Sequence, residues 1–354
     1  MTPHINRIGT AVPEQDVHRP FLAFARTLLA DDRARMVFDR MAERAGIAHR
    51  YSHLRPGRLE AGEVDADGFY RRGAFPTTAA RMRLYEPFAR SLALQAADAL
   101  DLGADRRRIT HVVVASCTGF TAPGLDLQLT EALDLPLSVG RSLIGFMGCS
   151  AAVPALRLAC DTVRADPRAR VLVVNCELST LHLQETSDLE TVLSFMLFAD
   201  GASAALVSAD PVGLAIEDFQ SAIIPDSERL ITWRIGDQGF DMHLSGKVPG
   251  RIAEALRGEG GADMLRGRAA DAYDLWAVHA GGRTVLDAVE ISLSLPPAAL
   301  RHSRAVLHDY GNMSSATVMF VLARMLAERE GTRGLAMAFG PGMVAESFCF
   351  RRAA

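Results

Sequence analysis

The sequence lacks the features typical of exported, membrane-bound or zinc-dependent proteins. It contains five cysteines at irregular spacing, and no two of them form a CxxC pair. This odd, scattered set argues against a disulfide framework or a structural zinc site and favours a reducing compartment. The N-terminus has no basic-then-apolar signal pattern, and no apolar run approaches the roughly 18 residues that span a bilayer. We therefore expect a cytoplasmic protein with no membrane span.

An excess of charge of either sign is also missing. The formal net charge is −4 over 354 residues, which gives no signal for binding to nucleic acid or to an anionic membrane. Hydrophobic residues make up 49% of the chain and charged residues 23%, as in an ordinary globular enzyme. With no low-complexity segment or obvious linker, this length indicates two domains or one large duplicated body.

The stretch 143–159, LIGFMGCSAAVPALRLA, places Cys149 where a glycine-rich turn meets an apolar helix. Unpaired backbone N–H groups and the positive end of the helix dipole stabilise a thiolate there, which suits a nucleophilic cysteine. A structural cysteine packed as a small hydrophobe is the alternative for such a residue taken alone. Pro154 follows five residues later, so this helix either begins late or kinks.

The sequence repeats itself at an offset of 163 residues (312 − 149). The segments that match without gaps are those around Cys149 and Asn312, 111–119 with 274–282, and 169–177 with 332–340. In this alignment Ser116 falls opposite His279. Three matches in register predict an internal duplication of one strand–helix–strand unit.

The duplicated pattern also predicts the fold class. Buried-looking strands that alternate with long apolar helices are typical of an α/β protein whose central sheets are covered by helices. We expect an N-terminal half at residues 1–210, which carries Cys149, and a C-terminal half at residues 211–354, which carries His279 and Asn312.

Cysteine, histidine and asparagine are a competent set for acyl transfer through a thioester. A thiolate held ionised by an imidazolium and a helix dipole can attack an acyl thioester. A neutral His279 and the Asn312 amide can each donate an N–H to one developing oxyanion, including the enolate left when a malonyl thioester loses CO2. A core histidine and an asparagine helix cap are the structural alternatives for these two residues.

These segments together resemble the type III polyketide synthases, the chalcone and stilbene synthase family, over nearly the whole chain. The matching segments are GFMGCSAA, WAVHAGGRTVLDAVE, YGNMSSA and AFGPG, the last with Ala338 in place of the family's first glycine. The resemblance implies a thiolase-like, duplicated αβαβα layered fold and a homodimer. It implies an acyltransferase that loads a starter on Cys149 and extends it by decarboxylative condensation with malonyl-CoA, with no metal or organic cofactor.

The resemblance also implies which side chains border the reaction cavity. Phe198 matches an aromatic gatekeeper, and the second gatekeeper position is Met242, a softer side chain. Trp233 stands at a position that is glycine in chalcone synthases, so its ring is expected to reduce the cavity volume. The other positions implied for the cavity are Cys117, Ala122, His182, Ser314 and Pro341. Of these, Cys117 is otherwise a buried structural thiol, and Ala122 replaces a plant methionine that reaches into the partner's cavity.

A basic run covers residues 40–58 and is either a solvated face or an anion-binding arm. The resemblance assigns Arg44 and Arg50 within it to the binding of CoA, although Ala48 replaces a basic residue of the family. The other positions implied for CoA binding are Gly281, Gly282 and Thr284.

The expected cavity is narrowed at its floor by Trp233 and widened at its wall by the smaller or softer side chains of Ala122 and Met242. This combination resembles the cavities of bacterial alkylresorcinol and alkylpyrone synthases. The hypothesis is a medium- or long-chain fatty acyl-CoA starter that is extended by two or three malonyl units and cyclised to a pyrone or a resorcinol. Delivery of the starter by a carrier protein stays open, as do malonyl and aromatic starters.

Four other classes share part of this pattern. A β-ketoacyl carrier-protein synthase III uses the same three residue types for a single condensation. A biosynthetic thiolase needs a second cysteine as a base in a C-terminal glycine-rich loop, and Cys349 lies beyond that loop here. A papain-like hydrolase also carries Cys, His and Asn in this chain order. A scaffold that kept the fold without catalysis is the fourth.

Overall fold

The computed structural model describes residues 1–58, 63–328 and 331–353. The strands are β1 His4–Ala11, β2 Gln15–Asp16, β3 Tyr51–Ser52, β4 His111–Ser116, β5 Gly140–Gly145, β6 Arg170–Leu178, β7 Asp200–Ser208, β8 Leu214–Ile223, β9 Ile231–Gly236, β10 Gly239–Leu244, β11 Leu275–Val278, β12 Arg333–Gly340 and β13 Val344–Arg352. The α-helices are α1 His18–Leu28, α2 Asp32–Ala45, α3 Thr78–Leu100, α4 Leu125–Ala132, α5 Ala152–Ala165, α6 Leu189–Phe195, α7 Val248–Arg257, α8 Glu259–Met264, α9 Arg283–Ser292, α10 Arg301–Tyr310 and α11 Ala316–Ala327.

Nine strands form one mixed sheet in the order β11-β12-β13-β8-β1-β7-β6-β4-β5. Apart from β5 at one edge, this order is symmetric about the contact between β8 and β1. On one side β4 and β6 pair in parallel and β7 runs antiparallel to β6; on the other, β11 and β12 pair in parallel and β13 runs antiparallel to β12. The predicted duplication is confirmed, because the strands that match at the 163-residue offset occupy corresponding places in two half-sheets.

Alternate residues of the strands face two different helical layers, as the two-residue period of a strand requires. In β4, Val113 and Ala115 pack in a core with α5 and α11. Val112 and Val114 pack in the other core, which contains α3. The same alternation in β12 places Ala336 in the first core and Leu335 in the second. Helices α5 and α11 therefore form a middle layer between the half-sheets, which confirms the αβαβα architecture.

The two middle helices begin close to the residues that the sequence singled out. Cys149 lies three residues before α5, and Asn312 lies four residues before α11, while His279 directly follows β11. The sequence left open whether Pro154 kinks its helix. It does not need to, because α5 begins at Ala152 and Pro154 is its third residue, where no intrahelical N–H is required. None of the helices in the described part of the chain has the length and apolar composition needed to cross a bilayer.

Candidate active site

Cys149 lies at the centre of a single tight turn, Gly148–Ser150, between β5 and α5. Gly148 has a φ of +58°, a left-handed conformation that favours glycine. A Cβ there would also lie 2.3 Å from Cδ of Pro341, so the turn packs directly against the loop that follows β12. The predicted glycine-rich segments around Cys149 and Pro341 thus form one tightly packed unit, and Cys149 keeps partial access to solvent.

His279 is held at the end of β11 by its backbone, and its ring is buried. Its N–H donates to the carbonyl of Met337 on the neighbouring strand at 2.8 Å. The side chain is 2% exposed, and neither ring nitrogen has a hydrogen-bond partner among the described residues. A buried imidazole with two unpaired nitrogens is costly for a purely structural residue, and it is what a site prepared for a substrate oxygen requires.

Asn312 is oriented by three elements of the fold. Its Oδ1 accepts from the backbone N–H of Ser314 at 2.9 Å, and its Nδ2 donates to the carbonyl of Gly281 at 3.2 Å. Its backbone pairs with the gatekeeper segment, donating to Leu197 O at 2.8 Å and accepting from Ala199 N–H at 2.9 Å. The amide orientation is therefore fixed, and the second Nδ2 hydrogen is left for a ligand.

The three predicted residues converge on one place. The Asn312 and Ser314 side chains lie close enough to the Cys149 sulfur to stabilise its thiolate form. Asn312 also binds Gly281, and a Cβ on Gly281 would lie 3.4 Å from His279 Nε2. Cysteine, histidine and asparagine from the two halves of the chain thus share one neighbourhood.

Burial favours the neutral form of both the Cys149 thiol and the His279 imidazole. Burial raises the pKa of the Cys149 thiol to about 11, and this effect exceeds the opposing effects of Ser314 and Asn312. Burial also lowers the pKa of His279 to about 4. Desolvation therefore opposes both charges of the expected thiolate–imidazolium pair, which stays a prediction. Burial favours the neutral imidazole expected for oxyanion binding.

A small cavity, about 30 Å³ in volume, opens beside Cys149 and is called the front cavity here. Its lining includes six of the predicted cavity residues and several others: Cys117, Thr118, Gly148, Cys149, Ser179, Phe195, Phe198, Ile231, Trp233, Met242, Ser314 and Pro341. The structure thus brings Cys117, Phe198, Trp233, Met242, Ser314 and Pro341 together.

Trp233 lines the front cavity together with Cys149, and its ring is held in place by several contacts. Its Nε1–H donates to Cys117 O at 2.7 Å, and its ring makes edge-on contacts with His182 and Phe240. His182 was expected to line the cavity, but it does not: it is fully buried behind Trp233. Its Nε2–H donates to Thr118 O at 2.6 Å and its Nδ1 accepts from Phe240 N–H, so it braces the wall instead.

Ala122 is exposed in this chain and does not line its front cavity. It precedes Pro123 across a cis peptide bond. The prediction that Ala122 borders the cavity of a partner subunit stays a prediction.

Glu177 was missed by the sequence reasoning. It is fully buried, and its carboxylate accepts from Cys117 N–H at 3.0 Å, from the Thr118 hydroxyl at 2.9 Å and from the Ser315 hydroxyl. Burial raises its pKa to about 7. The carboxylate therefore supports the wall that carries Cys117, and its charge adds to the raised pKa of the Cys149 thiol. The available signal was an acidic residue at the end of the apolar run ARVLVVNCE, where a carboxylate needs partners.

Arg50 was expected to bind CoA, and the structure contradicts this. Its side chain is 2% exposed, and Nη1 donates to Phe195 O at 2.9 Å and Phe198 O at 2.7 Å. Its Nε donates to His18 Nδ1 at 2.9 Å, and the guanidinium carbon lies 4.5 Å from the centre of the Phe21 ring. Arg50 is therefore an internal support of the gatekeeper segment, out of reach of a phosphate at the surface.

Of the other positions predicted to bind CoA, Arg44 and Thr284 are exposed, Gly281 is half-buried and Gly282 is buried. Arg44 is exposed in the last turn of α2, and its carbonyl accepts from Arg283 Nη1 at 3.2 Å at the start of α9. Thr284 is exposed in the first turn of the same helix, and Gly282 precedes it. Gly281 links this surface to the buried centre. Within the described residues, no cluster of three or more His, Cys, Asp or Glu side chains is arranged to hold a metal ion.

Comparison with known proteins identifies the family. The family profile for the N-terminal domain of chalcone and stilbene synthases matches residues 3–211, and the profile for the C-terminal domain matches residues 216–354. Bisdemethoxycurcumin synthase from Oryza sativa subsp. japonica is 34% identical over 342 residues, which cover 88% of this chain and 81% of that protein.

Solved structures agree with this assignment. The C-terminal type III polyketide synthase domain of Steely1 from Dictyostelium superposes with a TM-score of 0.90 at 26% identity, over 100% of both chains. PKS-I from the brown alga Ectocarpus siliculosus superposes with a TM-score of 0.88 at 30% identity, over 99% of this chain and 98% of that one. Type III polyketide synthases are transferases that catalyse decarboxylative condensation with malonyl-CoA. With both family domains matched along its length, this chain belongs to the chalcone and stilbene synthase family and is a type III polyketide synthase.

Proposed function

We propose that this enzyme loads a medium- or long-chain fatty acyl-CoA on Cys149, extends it by two or three malonyl units, and cyclises the product to an alkylpyrone or an alkylresorcinol. The observation that carries the catalytic part is the convergence of Cys149, Asn312 and His279 around Gly281, beside an apolar cavity.

In the loading step, the Cys149 sulfur attacks the carbonyl carbon of the starter thioester. Because burial favours a neutral thiol and a neutral imidazole, the thiol proton passes to His279 as the sulfur attacks. The tetrahedral intermediate then collapses, the CoA thiolate leaves, and it takes that proton from His279. The products are an acyl-Cys149 thioester, free CoA and a neutral imidazole.

In the extension step, malonyl-CoA loses CO2 and leaves the enolate of acetyl-CoA. N–H groups of neutral His279 and Asn312 stabilise the enolate oxygen, and no general base is required. The enolate carbon attacks the acyl-Cys149 carbonyl, which forms a carbon–carbon bond and expels the Cys149 thiolate. The chain is now a β-ketoacyl-CoA, and its return to Cys149 begins the next cycle.

The front cavity supports a slim starter and few extensions. Its lining is largely hydrocarbon and aromatic, and the Trp233 ring is fixed by a hydrogen bond to the Cys117 carbonyl. A fixed ring at this place limits how far a polyketide chain can coil before it cyclises. Met242, with an unbranched flexible side chain, can adapt to an alkyl chain.

An aromatic starter is the second candidate. It is favoured by the 34% identity to a protein named for a curcuminoid product. Incubation with malonyl-CoA alone distinguishes malonyl starters from both candidates. A single condensation with release of a linear product, as in a β-ketoacyl carrier-protein synthase III, is distinguished by the number of malonyl units in the product.

We further propose that CoA binds along exposed Arg44 and Thr284 and reaches the site past Gly281 and Gly282, with starter delivery from CoA or from a carrier protein. We propose a homodimer in the cytoplasm as the working form. Support comes from the exposed residues of the edge strand β5, including Leu143, which is 45% exposed, and from five cysteines that are all free. Light scattering coupled to size-exclusion chromatography tests the oligomeric state.

The function is tested by incubating purified protein with acyl-CoAs of graded length, cinnamoyl-type CoAs or malonyl-CoA alone, each with labelled malonyl-CoA. We expect cyclised products with alkyl starters, and Cys149→Ala to abolish them. Cys160→Ala is the matched control, since Cys160 is buried within α5, away from the cavity, and should leave products unchanged. Activity confined to aromatic or malonyl starters discards the fatty acyl proposal, and product formation by Cys149→Ala discards the catalytic assignment.

A further inference from the structure

Helix α2 turns a basic face to solvent. Its inner side packs against the core, whereas its outer side carries Arg33, Arg40 and Arg44, which are all exposed. Spacings of seven and four residues place these three side chains on one stripe along the helix, because an α-helix has 3.6 residues per turn. This stripe, together with the exposed Met36 and Val37 beside it, is called the basic face of α2 here.

The protein itself does not neutralise the charges of the basic face. Among the described residues, no carboxylate forms an ion pair with any of its three arginines, and the Asp39 carboxylate of the same helix pairs with Arg26 at 2.9 Å instead. Arg40 and Arg44 are four residues apart, a spacing at which like charges on a helix repel each other. The basic face therefore favours an anionic partner that supplies the missing carboxylates.

The basic face also exposes hydrocarbon between its charges. Met36 is 66% exposed and Val37 is 40% exposed, and both lie between Arg33 and Arg40 along the helix. Exposed methionine and arginine are typical of surfaces that bind another protein, in which apolar contacts are surrounded by charged pairs. A phosphate backbone would leave these two apolar side chains without a partner. The combination thus favours an acidic protein over a nucleic acid.

The end of the basic face lies beside the candidate active site. The Arg44 carbonyl accepts from Nη1 of Arg283 at 3.2 Å, at the start of α9. The segment that follows α2 is fixed to α10, because the N–H of Ala48 donates to the carbonyl of His308 at 2.8 Å. Helix α10 ends two residues before Asn312. A partner bound to the basic face is therefore close to the surface along which we propose that CoA binds.

We propose that the basic face of α2 docks an acyl carrier protein, a small acidic helical protein that brings the starter as a thioester on a phosphopantetheine arm. Carboxylates of the carrier pair with Arg33 and Arg40, and its apolar side chains contact Met36 and Val37. The Cys149 sulfur then attacks the thioester carbonyl, and the thiol of the arm leaves with the proton, as CoA does in the loading step. The inference rests on the proposed function, since it names the donor of that starter.

The test reverses the charge at two positions that have no part in the proposed CoA site. The variant is Arg33→Glu/Arg40→Glu. The matched control is Arg83→Glu/Arg90→Glu, because Arg83 and Arg90 are also exposed and seven residues apart, on α3. A decanoyl group is supplied either on a bacterial acyl carrier protein of fatty acid synthesis or on CoA, with labelled malonyl-CoA held constant. The quantity measured is kcat/KM for each decanoyl thioester.

The two donors should respond differently. We expect Arg33→Glu/Arg40→Glu to lower kcat/KM for the decanoyl carrier protein at least tenfold, because two attractive pairs become repulsive. The value for decanoyl-CoA should stay within about twofold of the wild type, which also shows that the variant is folded. Arg33→Lys/Arg40→Lys keeps both charges and should retain most of the rate with the carrier protein. Added salt should lower the wild-type rate with the carrier protein more than the rate with CoA.

Four results would overturn the inference while leaving the proposed function in place. The first is a wild type that uses decanoyl-CoA but not the decanoyl carrier protein. The second is an equal loss with both donors in Arg33→Glu/Arg40→Glu, which would assign these arginines to CoA. The third is an equal loss in the control on α3. The fourth is binding to phosphatidylglycerol vesicles that the charge reversal abolishes without changing the rate with the carrier protein, which would mark a membrane-binding face.

Failure of the proposed function gives a different result. If the wild type forms no product from an alkyl group on either donor, the fatty acyl function is wrong, and the inference about its donor falls with it.

Discussion

Replacement of Trp233 by alanine is the sharpest test of how the front cavity limits the product. The ring lines the front cavity together with Cys149, and its removal opens space towards His182 and Phe240. A growing chain then has room to accept further malonyl units before it cyclises. We therefore expect Trp233→Ala to form products that are longer by at least one ketide unit from the same starter.

The cost in stability follows from the contacts that the ring makes. The hydrogen bond from Nε1–H to Cys117 O contributes about 1 kcal/mol. The edge-on contacts with His182 and Phe240 contribute about 0.5 to 1.5 kcal/mol each. The free energy of unfolding of Trp233→Ala should thus be lower by about 2 to 4 kcal/mol. Trp233→Phe, which loses the N–H but keeps a ring, should lose about 1 kcal/mol and keep the wild-type product.

Two measurements check this prediction on the same preparations. Mass spectrometry of the products gives the number of malonyl units, and urea denaturation followed by circular dichroism gives the free energy of unfolding. The reasoning is refuted if Trp233→Ala makes products of unchanged length. It is also refuted if Trp233→Phe is as destabilised as Trp233→Ala, because the ring contacts then contribute nothing.

Three further predictions concern the turn, the buried carboxylate and the two arginines. Gly148→Ala should lower kcat at least tenfold, because its Cβ would lie 2.3 Å from the ring of Pro341. Gly267→Ala is the control: Gly267 has a similar φ but open space around it, so kcat should stay unchanged. Equal losses of kcat in both variants would mean that the backbone conformation alone matters. The raised pKa of Glu177 means that the folded state binds this proton more tightly than the unfolded state, so stability should fall as pH rises from about 4.5 to about 7. In Glu177→Gln, the free energy of unfolding from urea denaturation should fall by about 3 kcal/mol less than in the wild type over this pH range. An unchanged dependence on pH would show that the Glu177 carboxylate is not the titrating group. Arg50→Met should lower the free energy of unfolding by at least about 3 kcal/mol. Arg44→Met should raise KM for CoA thioesters without changing the free energy of unfolding. The reverse result would mean that Arg50 binds CoA after all.

Much of the site was predictable because its residues lie at the ends of elements with a strong sequence period. Cys149 and Asn312 precede the two middle helices, and His279 follows a buried strand, so the 163-residue repeat was enough to relate them. Their convergence follows from the symmetry of the two half-sheets, which brings corresponding element ends to one place. Trp233, Phe198 and Met242 also lie where the family resemblance implied.

The errors all concern burial, which depends on residues distant along the chain. Arg50 was assigned to CoA because it lies in a basic run, yet it binds carbonyls 145 and 148 residues away. His182 was expected in the cavity wall, yet Trp233 stands in front of it. A local pattern cannot show which face of a basic segment another element covers.

The sequence by itself determined the duplicated α/β architecture, the family and the three residues that meet at the candidate site, because these depend on periodicity and on short segments. Only the tertiary structure decided the burial that favours neutral Cys149 and His279, the internal role of Arg50 and the presence of a cavity beside Cys149. Charge states and cavities depend on how much water and protein surround each group. That is fixed only when strands and helices from both halves of the chain pack together.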